Sequence, residues 1–524
     1  MEGSLCREDP NICSAFAIST EPLAQQAKRE NDQMQNAGKS REEVSLSMGQ
    51  TLRRSLEAEY VSEAENVVVV ILEIGTSEIR TGFAGDETPQ HRLPAFLSRT
   101  AEASPSGDLH APLTVPKTFV GDEAFAAAAR AAGEAAEVVR VFAAHPRHPL
   151  ADSADSYENL FVIIDAALEK VRGGSGDEEE DEDDCANPES GNKRDLPSAE
   201  MPWALLALVP VVCDQRLASC LLRWSLETRG AVFGAVKLVA DVRMAAYHHL
   251  SLLPEDQRSA EQGLLMVDAG EAAIRVVPVC GWALTPWTHA LHQTDTGAGS
   301  LLTSLVLLHQ DRRGEGGRGT RRGMSWRDAA RYKEERCFVS VNPAADLQLH
   351  RRHRQLLPPF VMQSGAVLQP SAEAFLYPEI FFTPQLLRNA NLSPVVNSTS
   401  QSSLSHIILD AFGSGTVCER ARWLSRLCLV GGTAKLPNFA TRLEEELRTA
   451  WQSSDTSAYM RRKDEAPICL HVSSDPQLAA FRGASAFGRV AVLDEDAWIS
   501  REEYETTGSV SALARRALYL ANKG

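Results

Sequence analysis

The stretch Val67–Pro94, VVVVILEIGTSEIRTGFAGDETPQHRLP, constrains the fold more than any other part of the chain. A short run of β-branched residues reads as a buried strand. It enters a Gly75-Thr76-Ser77 turn, leaves through a short second strand and continues into Gly82-Phe83-Ala84-Gly85-Asp86. A bend of this kind turns backbone N–H groups outward, where they can surround a phosphate. The hydroxyls of Thr76 and Ser77 add donors, and Arg80 adds a fixed positive charge. The turn by itself is an ordinary feature of buried hairpins; the GFAGDxxP tail makes it specific.

Composition matters mainly through what it excludes. With 524 residues, 44% of them apolar, the chain can bury a sizeable core in two to four folding units. The net charge of −17 argues against nucleic acid or an anionic membrane as the main partner. Nearly half of it comes from one run, Asp177–Asp184 (DEEEDEDD). The 10 cysteines show no metal-ligand spacing and no disulfide framework. Cys213, Cys280, Cys428 and Cys469 lie in apolar runs and are expected as buried free thiols. The apolar run at Trp203–Val212 is too short to span a bilayer, and MEGSLCREDP lacks the basic start of a secretory signal. The expected compartment is the cytosol or the nucleus.

From Val67 onward strands alternate with helices, which predicts an α/β architecture. Residues 1–66 are polar, without strong periodicity, and read as a disordered extension. Ala124–Val139 reads as an alanine-rich helix, Tyr157–Val171 as an amphipathic one, and Trp203–Val212 as a strand. An acidic insert at 173–194 and a Gly/Arg-rich insert at 311–324 read as solvated loops, the second also compatible with nucleic-acid contact.

Two later segments complete a set with the first. Leu264–Pro278, LLMVDAGEAAIRVVP, repeats the strand–acid–small turn–strand pattern, with Asp268 and Gly270 at its bend. Two such turns facing each other would clamp a polyphosphate. Leu427–Pro437, LCLVGGTAKLP, ends a strand in Gly431-Gly432-Thr433, where a planar ring can approach the backbone without Cβ interference. Asn438–Ala450 reads as the helix that follows.

Together these segments resemble actin and the actin-related proteins. The likeness runs in family order through Tyr332–Val339 (YKEERCFV), Gly483-Ala484-Ser485 and Trp498–Tyr504, followed by Gly508. It implies the actin-like two-lobed ATPase fold shared with sugar kinases and chaperone ATPases, carrying inserted disordered loops. One lobe is expected over 67–254 and 478–524, the other over 255–477. By the same resemblance, Gly75, Thr76, Ser77, Arg80, Asp268, Gly270, Gly431, Gly432 and Thr433 would contact ATP or ADP. Lys333 and Glu334 would lie beside adenine and ribose. Asp268, and Glu73 through water, would serve the accompanying Mg ion.

Departures from the actin pattern gather where catalysis would occur. Glu73 stands in place of an aspartate, Ile74 of an asparagine, Ser77 of a glycine and Arg80 of a lysine. Glu271 and Ala272 replace Asp and Gly, Arg275 replaces a histidine, and Gln477 a lysine near adenine. Asp241 aligns with the glutamine that orients the attacking water, so Asp241 and Asp268 are the catalytic candidates. Phosphoryl transfer depends on positioning and electrostatics, so weak or absent hydrolysis is expected alongside retained nucleotide binding.

The segment Ser98–Lys117, aligned with actin's inserting loop, is polar and proline-containing, and Ser511–Gly524 reads as a short terminal helix. Among such proteins the chain looks most like the pointed-end actin-related subunit of dynactin, on Cys337–Ser340, Val430–Thr433 and the altered loop. That likeness implies a cytoplasmic, cytoskeletal, heteromeric complex with actin-like filament subunits and other dynactin components, supporting dynein-driven transport on microtubules. No direct nucleic-acid or membrane contact is expected. A nuclear subunit of a chromatin-remodelling complex, and an active ATPase or kinase of the same fold, are the alternatives.

Overall fold

The computed structural model describes residues 67–100, 117–130, 137–140, 154–173, 203–211, 213–253, 263–280, 283–284, 292–293, 299–314, 324–353, 357–384, 403–411, 423–453, 468–491, 498–515 and 520–521. The strands of the first sheet are β1 (Val69–Ile74), β2 (Glu78–Phe83), β3 (His91–Pro94), β4 (Trp203–Val209) and β5 (Phe233–Ala240), with the short strand Ile499–Ser500 beyond β5. The order across the sheet runs from Ile499–Ser500 through β5, β4, β1 and β2 to β3. β1 is antiparallel to β2 and parallel to β4, and β4 is parallel to β5. Every residue of β1 is buried, because helices cover both faces of the sheet.

The second sheet repeats this arrangement. Its strands β6 (Leu264–Ala269) and β7 (Ile274–Cys280) form an antiparallel hairpin. Parallel strands β8 (Leu427–Val430) and β9 (Leu470–Val472) follow on the β6 side. Each sheet thus has a hairpin with two further strands, parallel to its first strand, laid in succession on that strand's open side.

Two helices lie against both sheets. The helix α1 (Asp241–Leu252) follows β5 directly, and α2 (Ala479–Ala491) follows β9. Met244 and Tyr247 of α1, with Phe481 and Ala484 of α2, pack on Val69, Ile71 and Leu206 of the first sheet. Val242, Ala245 and Ala246 of α1, with Ala479 of α2, pack on Leu264, Met266, Val277 and Val430 of the second. Helical spacing puts these two sets on opposite faces of one rod. At Gly483 a Cβ would overlap the carbonyl oxygen of Met244, so glycine is what lets the two helices touch.

Several expectations change in detail. The alanine-rich helix spans only Asp122–Arg130, and Glu137–Arg140 is a strand paired with Phe96–Thr100. The β-branched pair Val138-Val139 favours that extended state. The strand beginning at Trp203 ends at Val209, just before Pro210, which cannot extend a ladder. Asp311–Gly314 prolongs the helix Gly299–Gly314 instead of opening a loop; residues 315–323 lie outside the described residues, as do 1–66 and 174–194. Phe96–Thr100 and Lys117–Val120 are antiparallel strands, with 101–116 outside the description. Near the C-terminus the helix Arg501–Arg515 contains a non-helical Gly508 and stops at Arg515. Leu520–Ala521 then pairs with Cys213–Asp214 as a strand, so the expected helix over 511–524 holds only in its first residues. Cys428 is buried and free, its thiol pushed up to about 12 by burial, whereas Cys469 is half-buried beside His471.

Candidate functional site

The two hairpins bring their turns to one cleft that is open to solvent. Thr76, Ser77, Ala95 and Phe96 line one side; Glu271, Ala272, Ser300, Trp326, Arg327 and Glu334 line the other. Ser77 is exposed and Thr76 half-buried, so both hydroxyls are accessible to a ligand. At the rim Arg327 pairs with Asp122 at 3.2 Å.

Beneath the turns the charged side chains satisfy one another. In the first hairpin Glu73 and Arg80 are opposite residues of β1 and β2. Arg80 donates from Nη1 to Glu73 Oε1 at 2.6 Å and to the carbonyl of Gln477 at 3.0 Å, and from Nε to Glu78 Oε1 at 2.6 Å. Its Nη2 also lies 2.6 Å from Glu78 Oε1, and Gln477 Nε2 donates to the same oxygen at 3.0 Å. The fork of Arg80 is therefore engaged on every side by protein. Burial pushes the Glu73 carboxyl up despite Arg80, and its Oε2 has no hydrogen-bond partner.

The second hairpin uses the same geometry. Asp268 and Arg275 are opposite residues of β6 and β7. Arg275 Nη1 donates to Asp268 Oδ2 at 2.8 Å and to Asp241 Oδ2 at 3.4 Å. Asp241 opens α1, where its Oδ1 accepts the N–H of Val242 at 2.7 Å. Burial, opposed by Arg275, raises the Asp268 carboxyl to about 7 and raises Asp241 in the same direction.

Lys333, at the end of the helix Trp326–Arg336, is buried and donates to Glu271 Oε2 at 2.6 Å. Its neighbour Glu334 faces the cleft. Thr433 donates to the carbonyl of Gly270 at 2.7 Å, fastening the turn after β8 to the second hairpin. The paired glycines differ. Gly431 has φ +94°, and a Cβ there would overlap the carbonyl of Ala269, which is a packing requirement. Gly432 is exposed, and the nearest atoms to a Cβ there are Gln477 Cγ and Cδ at 3.9 Å. Only Gly432 leaves room for a planar ring.

Sequence reasoning thus named residues that do converge, and missed how they pair. A signal was present. Both hairpins read acid-x-Gly-x3-Ile-Arg, from Glu73 to Arg80 and from Asp268 to Arg275. Across a tight hairpin that spacing sets acid and guanidinium directly opposite each other.

A nucleotide fits these residues in part. Thr76 and Ser77 offer donors in the cleft between the turns, and Gly432, outside its lining, leaves open space. A divalent cation fits in part: Glu73 Oε2 is buried without a partner, whereas Asp268 Oδ2 and Glu73 Oε1 are each held by a guanidinium and Mg requires oxygens with room for its water shell. Among the described residues no group of three His, Cys, Asp or Glu side chains is arranged to hold a metal ion.

Two hairpin-centred sheets joined by a pair of shared helices, with a cleft between the turns, define the actin-like two-lobed α/β fold. Comparison with known proteins agrees: residues 326–517 match the family model described as Actin. The chain is also similar to the actin-related protein 2 of Caenorhabditis briggsae, 24% identical over 264 residues, which covers 48% of this chain and 62% of that protein. The actin-related protein 2 of Saccharomyces cerevisiae is 22% identical over 250 residues, covering 47% and 60% respectively. The chain spans about three-fifths of the length of these relatives. It carries an actin-family domain and is homologous to actin-related proteins. Among the described residues no helix is long and apolar enough to cross a membrane.

Proposed function

We propose that this chain is a divergent actin-related protein that acts as a structural subunit of a heteromeric assembly with actin-like partners. The observation that carries this reading is the engagement of Arg80, Arg275 and Lys333 by Glu73 and Glu78, Asp268 and Asp241, and Glu271. A cleft whose cations are held by neighbouring carboxylates has fixed partners in place and few free charges for a transition state. It binds ATP or ADP through Thr76, Ser77 and Gly432, with little turnover. Asp241 and Asp268, the two carboxylates suited to act on water, share one guanidinium.

The finer reading is a subunit that ends the actin-like filament of dynactin, in the cytoplasm. It is supported by Cys337–Ser340 and by the polar segment between Phe96–Thr100 and Lys117–Val120. Mass spectrometry of proteins co-purifying with the tagged full chain tests it. Recovery of dynein–dynactin components supports the finer reading, and recovery of histones with a remodelling helicase replaces it by the nuclear one. Copolymerisation of the purified chain with actin monomers, seen by electron microscopy, would count against an end-binding subunit. Steady release of phosphate from ATP would return the chain to the active ATPases.

A further inference from the structure

The helix Pro343–Arg352 has no fully buried residue. Helices this short draw most of their stability from a packed face, yet this one is fastened on its inner side mainly by polar contacts. Asn342 caps it by accepting the N–H of Ala345 at 3.1 Å, and Ser340 donates to Asp346. His350 Nε2 lies 3.2 Å from Ser371 Oγ, its ring T-shaped against Phe375. The outer side carries a regular exposed pattern. Ala345, Leu349 and Arg352 follow one another at helical spacing, and so do Ala344, Gln348 and Arg351, so the two rows run side by side on one face. The alanines leave room for a close approach, Leu349 stands 47% exposed in the middle, and two guanidiniums close the end. Among the described residues neither Arg351 nor Arg352 meets a carboxylate, whereas Arg229, Arg442 and Arg448 each do. The helix dipole accounts for cations in a last turn; it does not account for Leu349 standing in water beside them.

We propose that this face docks an acidic segment of a partner protein, with an aliphatic side chain on Leu349 and carboxylates on Arg351 and Arg352. This rests on the heteromeric-assembly reading above and adds the chemistry of the partner's surface. A guanidinium takes a carboxylate in two parallel hydrogen bonds. Leu349 and the two arginines lie within one turn, about 5 Å along the axis, so the occupant presents apolar and acidic side chains at that spacing. Nucleic acids and anionic membranes are extended polyanions that need a wider basic footprint, and a chain of net charge −17 repels them over the rest of its surface. A short acidic segment crosses this face alone.

The test places the photo-crosslinker benzoylphenylalanine at Gln348 of the tagged full chain, purified from its native cells, and sequences the cross-linked segments by mass spectrometry. The expected result is a protein segment rich in Asp and Glu. Its yield should fall about tenfold or more when Arg351→Glu and Arg352→Glu are combined, since two charge-assisted contacts are lost, and should also fall in Leu349→Ser. These side chains are exposed, and circular dichroism checks that each variant keeps its helix content; the milder pair Arg351→Gln with Arg352→Gln serves if the reversed pair does not fold. Cross-linking that survives charge reversal would overturn the proposal. So would wild-type cross-links to neutral or basic segments, to nucleic acid or to lipid, or none at all from an intact assembly; these leave the assembly reading standing. A chain that elutes from size exclusion as a monomer would reject the assembly reading, and the docking face with it.

Discussion

The hairpins β1–β2 and β6–β7 share one plan, and the difference that bears most on their ion pairs lies two residues before the arginine. The first has Glu78 there and the second has Ala273. Glu78 takes both Nε and Nη2 of Arg80, completing a closed set with Glu73 and Gln477. Ala273 offers nothing, so Arg275 turns outward to Asp241 at the head of α1. One carboxylate therefore decides whether the guanidinium staples a single hairpin or bridges to the helix shared by both sheets. The lesson is that equal motifs acquire different work from the residue beside them.

The largest test of this contrast is removal of each arginine. Arg80→Met leaves buried Glu73 and half-buried Glu78 without their partner and should lower stability by about 3–5 kcal/mol in urea unfolding. Arg275→Met should cost less, about 1–3 kcal/mol, because Arg275 holds Asp268 at 2.8 Å but Asp241 only at 3.4 Å, whereas every contact of Arg80 is 3.0 Å or shorter. Equal losses would dissolve the contrast. Next, Glu78→Ala gives the first hairpin the residue of the second. It removes charged hydrogen bonds and should cost roughly 1.5–3 kcal/mol; a loss below about 0.5 kcal/mol would show that Arg80 does not depend on Glu78.

A smaller effect is expected at the far end of α1. There the ring of His249 lies tilted beside that of His471 of β9, centroids 5.2 Å apart, and its pKa is lowered from 6.5 to about 4 by burial and then by His471. The unfolded imidazole gains a proton before the folded one, so stability is full above pH 6.5 and falls as pH drops toward 4. After discounting for its partial exposure the loss is about 1–2 kcal/mol. Stability measured from pH 7 to 4 should fall less in His249→Phe than in the wild type; parallel curves would remove this end of α1 from the junction. The smallest change is Arg327→Ala, which opens the exposed rim pair with Asp122 and should cost under about 1 kcal/mol. A loss comparable to that of Arg275→Met would mean that the rim, and not the floor, closes the cleft.

Much of the fold was legible because its signals are local. The runs VVVVIL and LLMVDA read as buried strands, and glycine turns at Gly75 and Gly270 fold each onto a second strand. Local signals also mislead. Alanine-rich sequence suggested a helix through Val139, yet pairing with Phe96–Thr100 draws Glu137–Arg140 into a sheet. The candidate site was legible as a set of residues and much less as a set of roles. Arg80 and Lys333 read as free cations available to a nucleotide, whereas Glu78, 2 residues from the first, and Glu271, 62 residues before the second, hold them.

The sequence by itself determined that two strand–turn–strand units and a Gly-Gly turn exist, since periodicity and glycine act over a few residues. Only the tertiary structure decided which charges meet. Arg275 reaches Asp241 because α1 presses one face on each sheet, and Gly431 is needed because β8 lies against β6. Contacts between segments distant in sequence depend on how the sheets stack, and no local pattern encodes that distance.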